Sequence, residues 1–424
     1  MFDWANSAYN LVITSTIFPA YYTIITTTQE HGDKVYFFGK RFTNTALSNY
    51  VLSAAYLIMA FLLPILSSIA DYRGNKKIFM KLFTYLGSSA CAALFFFKIE
   101  TLEFGIICFA LAAIGYIGGV LFNNSYLPEI ASIDQQDKVS AQGFAYGYVG
   151  SVILQLICFV FVLKPDWFGI TDPSLPARLS FLLVGVWWIA FAQIPFSALP
   201  IGSPNYSVAN KKSIRNGFQE LAKVWNQLKK MIYLKRYLLA FFFYSMGVQT
   251  IMLVSAGFGE KILHLGTPNL IAIILIIQLV AIFGAMIMSF FAAKFGNIKV
   301  LIAVVSIWIA ICVCAYHITN TVQFYILAVV VGLVMGGIQS LSRSTYSKLI
   351  PEHTPDTASF FSFYDVAEKL AIVIGLFSFG YIEEITGNMR NSALSLTSFF
   401  FIGLLLLVSL LYQKPQIDST LVAK

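Results

Sequence analysis

Three ionisable residues sit inside one otherwise apolar run, FFSFYDVAEKLAIVIG at 360–375: Asp365, Glu368 and Lys369. Asp365 and Lys369 are four apart, so on a helix they share a face and can pair, and Glu368 lies three residues from Asp365. Counted from residue 358, where the run begins, Glu368 and Lys369 are roughly 15 Å along the helix, close to the middle of a bilayer. An unpaired charge there costs at least about 2.5–3.5 kcal/mol. Two chemistries fit such a cluster. One is an ion or substrate site, in which a carboxylate beside a lysine takes up and releases a proton. The other is a closed salt-bridge network that fixes helix packing. For proton coupling Glu368 is the first choice and Asp365 the second. Lys369 and Arg343, the latter near the inner end of the preceding apolar segment, would balance charge or receive a solute carboxylate.

A second polar set opens the chain, in DWANSAYN at 3–10. Asp3, Asn6, Asn10 and Thr14 are spaced three, four and four apart and share one helix face, with Ser7 beside them. Asn10 lies on the order of 10 Å above Asp3. Asn6 and Asn10 fit either the lining of a water-filled cleft or hydrogen-bonded contacts between helices, and Asp3 fits a helix cap or a gate. Asn123 and Asn124 join the candidate pathway. The single amides Gln155, Gln193, Gln249, Gln278 and Gln339 suit interhelical hydrogen bonds. Gly118-Gly119 and Gly336-Gly337 suit close helix approach.

The elements that carry these residues are membrane spans. The chain has 424 residues, 58% hydrophobic and 11% charged, against about 25% charged in a soluble domain. Twelve apolar segments of bilayer length follow one another: roughly 4–27, 45–70, 78–97, 103–126, 139–163, 178–199, 237–259, 268–292, 298–318, 322–347, 358–382 and 391–412. The first reads as a retained helix rather than a cleaved signal peptide. With both termini inside, 18 of the 28 Lys and Arg fall on the inner side and 8 on the outer, which predicts cytoplasmic termini. The net charge of +8 is thus an orientation signal and not a nucleic-acid footprint. The five cysteines lie in apolar runs and the four histidines are scattered, so no metal site or disulfide framework is expected. Neither a Walker A loop nor a Rossmann fingerprint occurs, and no cofactor is expected.

The hydrophilic stretch 200–236 divides the chain into six spans on either side. Within it Ile214, Phe218, Leu221, Trp225, Leu228 and Ile232 recur at helical spacing among basic residues. This predicts an amphipathic helix on the cytoplasmic membrane surface, as an elbow between bundles or a partner-binding site. The halves also repeat. SSIADYRGNKKIF at 67–79 aligns with SFFAAKFGNIKVL at 289–301 without a gap, and Gly74-Asn75 matches Gly296-Asn297. Each copy joins the second and third span of its half, as a transporter that rocks one bundle against the other requires.

The first copy resembles the signature loop of the major facilitator superfamily. It keeps Ala70, Asp71, Gly74 and Lys76, and Arg73 stands one place late; the second copy has Ala293 in place of the acid. DWANSAYN, NNSYLPEIA at 123–131, GGIQSLSRSTYSKLIPE at 336–352 and the run at 360–375 are similar to the branch that contains the fungal vacuolar amino-acid efflux permeases of autophagy. In that branch several residues usually precede DWANSAY, and here only Met1 and Phe2 do, so a start further upstream or a very short leader is expected. The resemblance implies an all-α membrane protein of twelve transmembrane helices in two pseudo-symmetric six-helix bundles (residues 1–199 and 237–424, linked by 200–236), with a central cleft. It implies a gate motif at Asp71, Arg73, Gly74 and Lys76. The expected function is non-enzymatic: alternating-access transport of a small polar solute across the cell inner membrane, an amino acid or similar zwitterion, coupled to protons. A sugar or a peptide-bearing wall fragment is the alternative solute, and a non-transporting receptor or assembly factor the alternative class.

Overall fold

The computed structural model describes residues 1–27, 32–200, 213–352 and 354–413. His31, Lys211, Lys212, His353, Lys414, Lys424 and most of the linker before residue 213 lie outside the described residues, as do the side chains of Ile214, Arg215 and Phe218. Ten helices are long and apolar enough to cross a membrane among the described residues: α3 (Asn44–Arg73), α4 (Lys76–Ala93 and the short turn after it), α5 (Leu102–Ser125) with the short α6 (Leu127–Ile130), α7 (Gln136–Leu163), α8 (Leu175–Ala198), α10 (Ile232–Leu263), α11 (Thr267–Phe295), α12 (Asn297–His317), α13 (Thr321–Leu349) and α15 (Met389–Leu411). The remaining two of the twelve are the polar ones. The first span is broken into α1 (Phe2–Ala8), a π-helical run Tyr9–Thr16 and α2 (Ile17–Thr26). The eleventh, α14 (Thr357–Thr386), carries Asp365, Glu368 and Lys369 in mid-helix. Outside the spans lie the linker helix α9 (Ser213–Lys230), a short 3-10 turn Pro165–Phe168, and an antiparallel hairpin, β1 (Lys34–Phe37) with β2 (Lys40–Thr43).

The chain forms two compact units, Met1–Asn124 with Gly143–Ala209, and Ser125–Gln142 with Asn210–Lys424. In the first, α4 and α1 both pack on α8. Trp188 of α8 is fully buried, against Gly87 of α4 where α4 meets Gly115 of α5. In the second, α11 packs along α13. Gly284 lies against the Leu333 carbonyl and Gly336 against the Ala281 carbonyl, so a Cβ at either would collide with backbone. This is the close approach expected of Gly336, and it suits a medium in which helices gain from packing rather than from leaving water.

Val224 and Leu228 are fully buried and Trp225 is 43% exposed, and α9 packs on α10 and α14. Of the expected apolar stripe, Leu228 is buried while Trp225 and Ile232 are exposed. Lys223 ties the helix to Asp356 at the start of α14 at 3.2 Å. The two repeat copies also diverge locally. Gly74 takes a left-handed φ of 61° and ends α3, with its N–H on the Asp71 carbonyl and the Asn75 N–H on the Ala70 carbonyl, both at 3.0 Å, a Schellman closure. Gly296 (φ 88°) instead separates α11 from α12 with no intervening loop.

Candidate functional site

In the first unit the polar stripe of span one is carried by an irregular helix. The run NLVITST is rich in β-branched residues, which crowd an α-helix, and in hydroxyls that compete for backbone carbonyls. Ser15 Oγ donates to the Asn10 carbonyl at 2.9 Å and Thr16 Oγ1 to the Leu11 carbonyl at 2.7 Å, the five-residue reach of a π-helix. Thr16 Oγ1 also bonds Gln155 Oε1 of α7 at 2.8 Å, so Gln155 makes the interhelical bond expected of it. Asp3 and Asn10 are half-buried. Asn6 is buried, and its Nδ2 has no hydrogen-bond partner. The Tyr9 hydroxyl and Thr14 Oγ1 are buried as well. Asp3 is not the cap: Met1 holds that place without a side-chain bond, and Asp3 instead accepts from Asn123 Nδ2 of α5 at 3.0 Å. Asn124 is buried. Of the loop motif, Asp71 and Lys76 are buried and Arg73 is exposed.

In the second unit α14 brings Asp365, Glu368 and Lys369 together, but with a pairing that helix spacing does not predict. Lys369 Nζ donates to the adjacent Glu368 Oε2, whose other oxygen accepts from Gln249 Nε2 of α10 at 3.0 Å. Asp365 is 1% exposed and neither of its oxygens accepts a hydrogen bond, from Arg343 or any other described group. Tyr364 beside it stacks on Phe241 at 4.1 Å. The helix thus presents one satisfied ion pair and one carboxyl group without fixed hydrogen bonds.

Arg343 is engaged elsewhere. Its Nε donates to Ser140 Oγ at 3.0 Å and its Nη2 to the Ser140 carbonyl at 2.9 Å, while Ser140 Oγ donates to the Ser340 carbonyl at 2.7 Å. Ser140 lies in the segment 125–142, which runs from the end of α5 through α6 into the first turns of α7 and which packing places in the second unit. Three further contacts hold that segment. Asp137 Oδ2 accepts from Lys348 Nζ, and its Oδ1 accepts from Asn297 Nδ2 at 2.6 Å. Asn297 Nδ2 also reaches Thr345 Oγ1 at 3.0 Å, and Lys348 Nζ reaches Asn297 Oδ1 at 3.2 Å. Thr357 Oγ1 donates to Glu129 Oε1 at 2.9 Å. Asp137, Ser140 and Lys348 were not singled out by sequence reasoning. The available signal was Asn297, the residue the repeat aligns with Asn75. Three of the four motif stretches (123–131, 336–352 and 360–375) meet in or beside this network.

The fold and these sites define a transporter of the major facilitator type. The chain resembles the solved structure of FucP, a major facilitator transporter in the outward conformation, with a TM-score of 0.69 over 97% of both chains at 13% identity. A bacterial homologue of the iron transporter ferroportin in its outward-facing state matches with a TM-score of 0.67 over 97% of both chains at 10% identity. At these identities the likeness is one of fold. More particularly, the family profile described as "Vacuole effluxer Atg22 like" matches residues 1–418, and the chain belongs to that family. An uncharacterised MFS-type transporter of Bacillus subtilis, YxiO, is 32% identical over 408 residues, covering 96% of this chain and 92% of its own. Autophagy-related protein 22 of Yarrowia lipolytica is 28% identical over 320 residues, 68% of this chain and 52% of its own length. The chain is therefore an integral, multi-pass transporter-family protein and not an enzyme.

Proposed function

We propose that the protein is a secondary active transporter that moves an amino acid or similar small zwitterion by alternating access, coupled to protons. The observation that carries this reading is the arrangement on α14. Glu368 and Lys369 form a partly accessible ion pair, with side chains 20% and 10% exposed. A zwitterion offers an ammonium to Glu368 and a carboxylate to Lys369, so it can exchange with the pair without leaving a buried charge uncompensated. Asp365, one turn away and free of hydrogen bonds, is the group that carries the proton. This reverses the order in which the two acids stand on sequence grounds, because Glu368 has both oxygens occupied. Lys369 would receive the solute carboxylate. Arg343, held by Ser140, would balance charge within the second unit, and Asp71, Arg73, Gly74 and Lys76 would form the gate motif of the first. Asp3, Asn6, Asn10, Asn123 and Asn124 would belong to the first bundle's share of the pathway. The name of the matching family, an effluxer, supports solute export from a compartment for those relatives.

We further propose the cell membrane as the site, with both termini cytoplasmic, on the strength of the Lys and Arg bias. Bundles at 1–199 and 237–424, joined by 200–236, are the proposed covalent organisation. The test is flux in proteoliposomes: uptake of labelled amino acids, sugars and muropeptides with and without an imposed pH gradient. Gradient-dependent amino-acid uptake that Asp365→Asn uncouples and Glu368→Gln abolishes is the expected result. Uptake of none of the three classes would defeat the transport reading, and unchanged gradient dependence in Asp365→Asn would remove that residue from coupling.

A further inference from the structure

The hairpin β1–β2 has no place in the transport reading, and its chemistry points to the membrane surface. It leaves span one and enters span two on the face opposite Met1, since one span separates it from the N-terminus. Its base is clamped. Asn44, the first residue of α3, is buried and donates through Nδ2 to Thr26 Oγ1 at 2.9 Å and Thr27 Oγ1 at 3.3 Å, and its N–H bonds the Asp33 carbonyl at 2.8 Å. The hairpin's base is therefore fixed to the helix ends. Strands of four residues extend about 13 Å, well within reach of the headgroup layer that borders the hydrocarbon.

The tip is aromatic and cationic. Tyr36, Phe37 and Phe38 are consecutive, with Tyr36 54% and Phe38 70% exposed, and Lys40 and Arg41 beside them are exposed. Val35 and Phe42 face each other in the register, as do Tyr36 and Arg41. Val35 is buried, so the Val35 side is turned to the protein and the Tyr36–Arg41 side outward. The turn residues Phe38 (φ 46°) and Gly39 (φ 75°) are both left-handed, a geometry that favours Asn-Gly. A bulky aromatic at the first position is strained there; Phe38 meets the Phe37 ring edge-on at 4.7 Å and stays 70% exposed, so turn geometry does not account for it.

We propose that the Phe38 tip docks into the headgroup region of the adjacent leaflet, with Arg41 on anionic phospholipid. Aromatic rings and basic side chains are the residues that settle at this boundary. The test uses the full chain with a nitroxide at Lys40→Cys and Cys314, the exposed cysteine, changed to Ala. It is reconstituted in phosphatidylcholine vesicles with or without phosphatidylglycerol. Relative collision with oxygen and with a water-soluble nickel chelate reports immersion of the label. Immersion greater in the anionic vesicles is expected. Phe38→Asn suits the turn better than Phe38 and removes the apolar anchor, so it keeps the hairpin folded while lowering the docked-to-free ratio about tenfold. Phe38→Leu restores docking. A label as accessible to the chelate in both vesicle types as in detergent overturns the proposal, and so does immersion that Phe38→Asn leaves unchanged. Immersion equal with and without phosphatidylglycerol overturns the assignment of Arg41 to anionic lipid.

Discussion

The network at the base of α13 gives the sharpest prediction. Replacing Asp137 with Ala deletes both acceptors that hold the segment 125–142 to Lys348 and Asn297. Asp137 is 5% exposed through its side chain and Lys348 21%, so the pair is largely shielded from water. Removing one partner of a buried pair costs about 3–5 kcal/mol, and each hydrogen bond to a charged group contributes about 1.5–3 kcal/mol. Lys348 keeps Asn297 Oδ1 at 3.2 Å and some water, which places the loss near the lower end, at about 3 kcal/mol. That corresponds to about a 150-fold rise in the undocked population of the segment. Hydrogen–deuterium exchange of the detergent-solubilised protein reads it directly. Peptides covering 125–142 and the end of α13 should exchange faster by about that factor, while peptides from α11 and α15 stay unchanged. Lys348→Met should reproduce much of the effect, and the double variant should add little to either single change, because the two residues share one interaction. Additive effects, or less than a threefold change within 125–142 in Asp137→Ala, would refute the assignment of this network as the tie that holds the segment.

Other consequences follow from the same contacts. Gly284→Val sets a side chain against the Leu333 carbonyl; we expect a loss of at least about 3 kcal/mol, read as aggregation in fluorescence-detected size exclusion, whereas Gly380→Val, with open space around it, should elute as wild type. Thr16→Val removes the bond to Gln155 and should lower the melting temperature slightly, for about 1 kcal/mol; no change would mean that Gln155 finds another partner. Leu228→Ala unseats α9 from α10 and α14, costing about 2–4 kcal/mol locally, and should make residues 213–230 the first site of limited proteolysis. Gly74→Ala strains the left-handed closure of α3 by about 1 kcal/mol and should weaken thermal stability, while Gly74→Asn, which tolerates that conformation better, should do so less.

Class and architecture were legible without coordinates because they rest on properties that accumulate along the chain. Hydropathy sums over 20 residues, and the aligned copies at 67–79 and 289–301 compare like with like at one offset. The presence of charge in α14 was equally plain, since Asp365, Glu368 and Lys369 are out of place in any apolar segment. What those charges do was not. Spacing puts Lys369 over Asp365, and only side-chain rotamers and Gln249 from α10 turn it to Glu368 and leave Asp365 without a hydrogen bond. The engagement of Arg343 by Ser140 joins residues 203 positions apart, and the tie between Asp137 and Lys348 joins residues 211 apart. The π-helical run of span one depends on competition among carbonyls for hydroxyls, which periodicity does not register, and the buried face of α9 was decided by which neighbour could cover Val224 and Leu228. Patterns of composition and period belong to the sequence; the choice of partner belongs to the fold, because hydrogen bonds and ion pairs act over a few ångströms between groups that the chain alone leaves far apart.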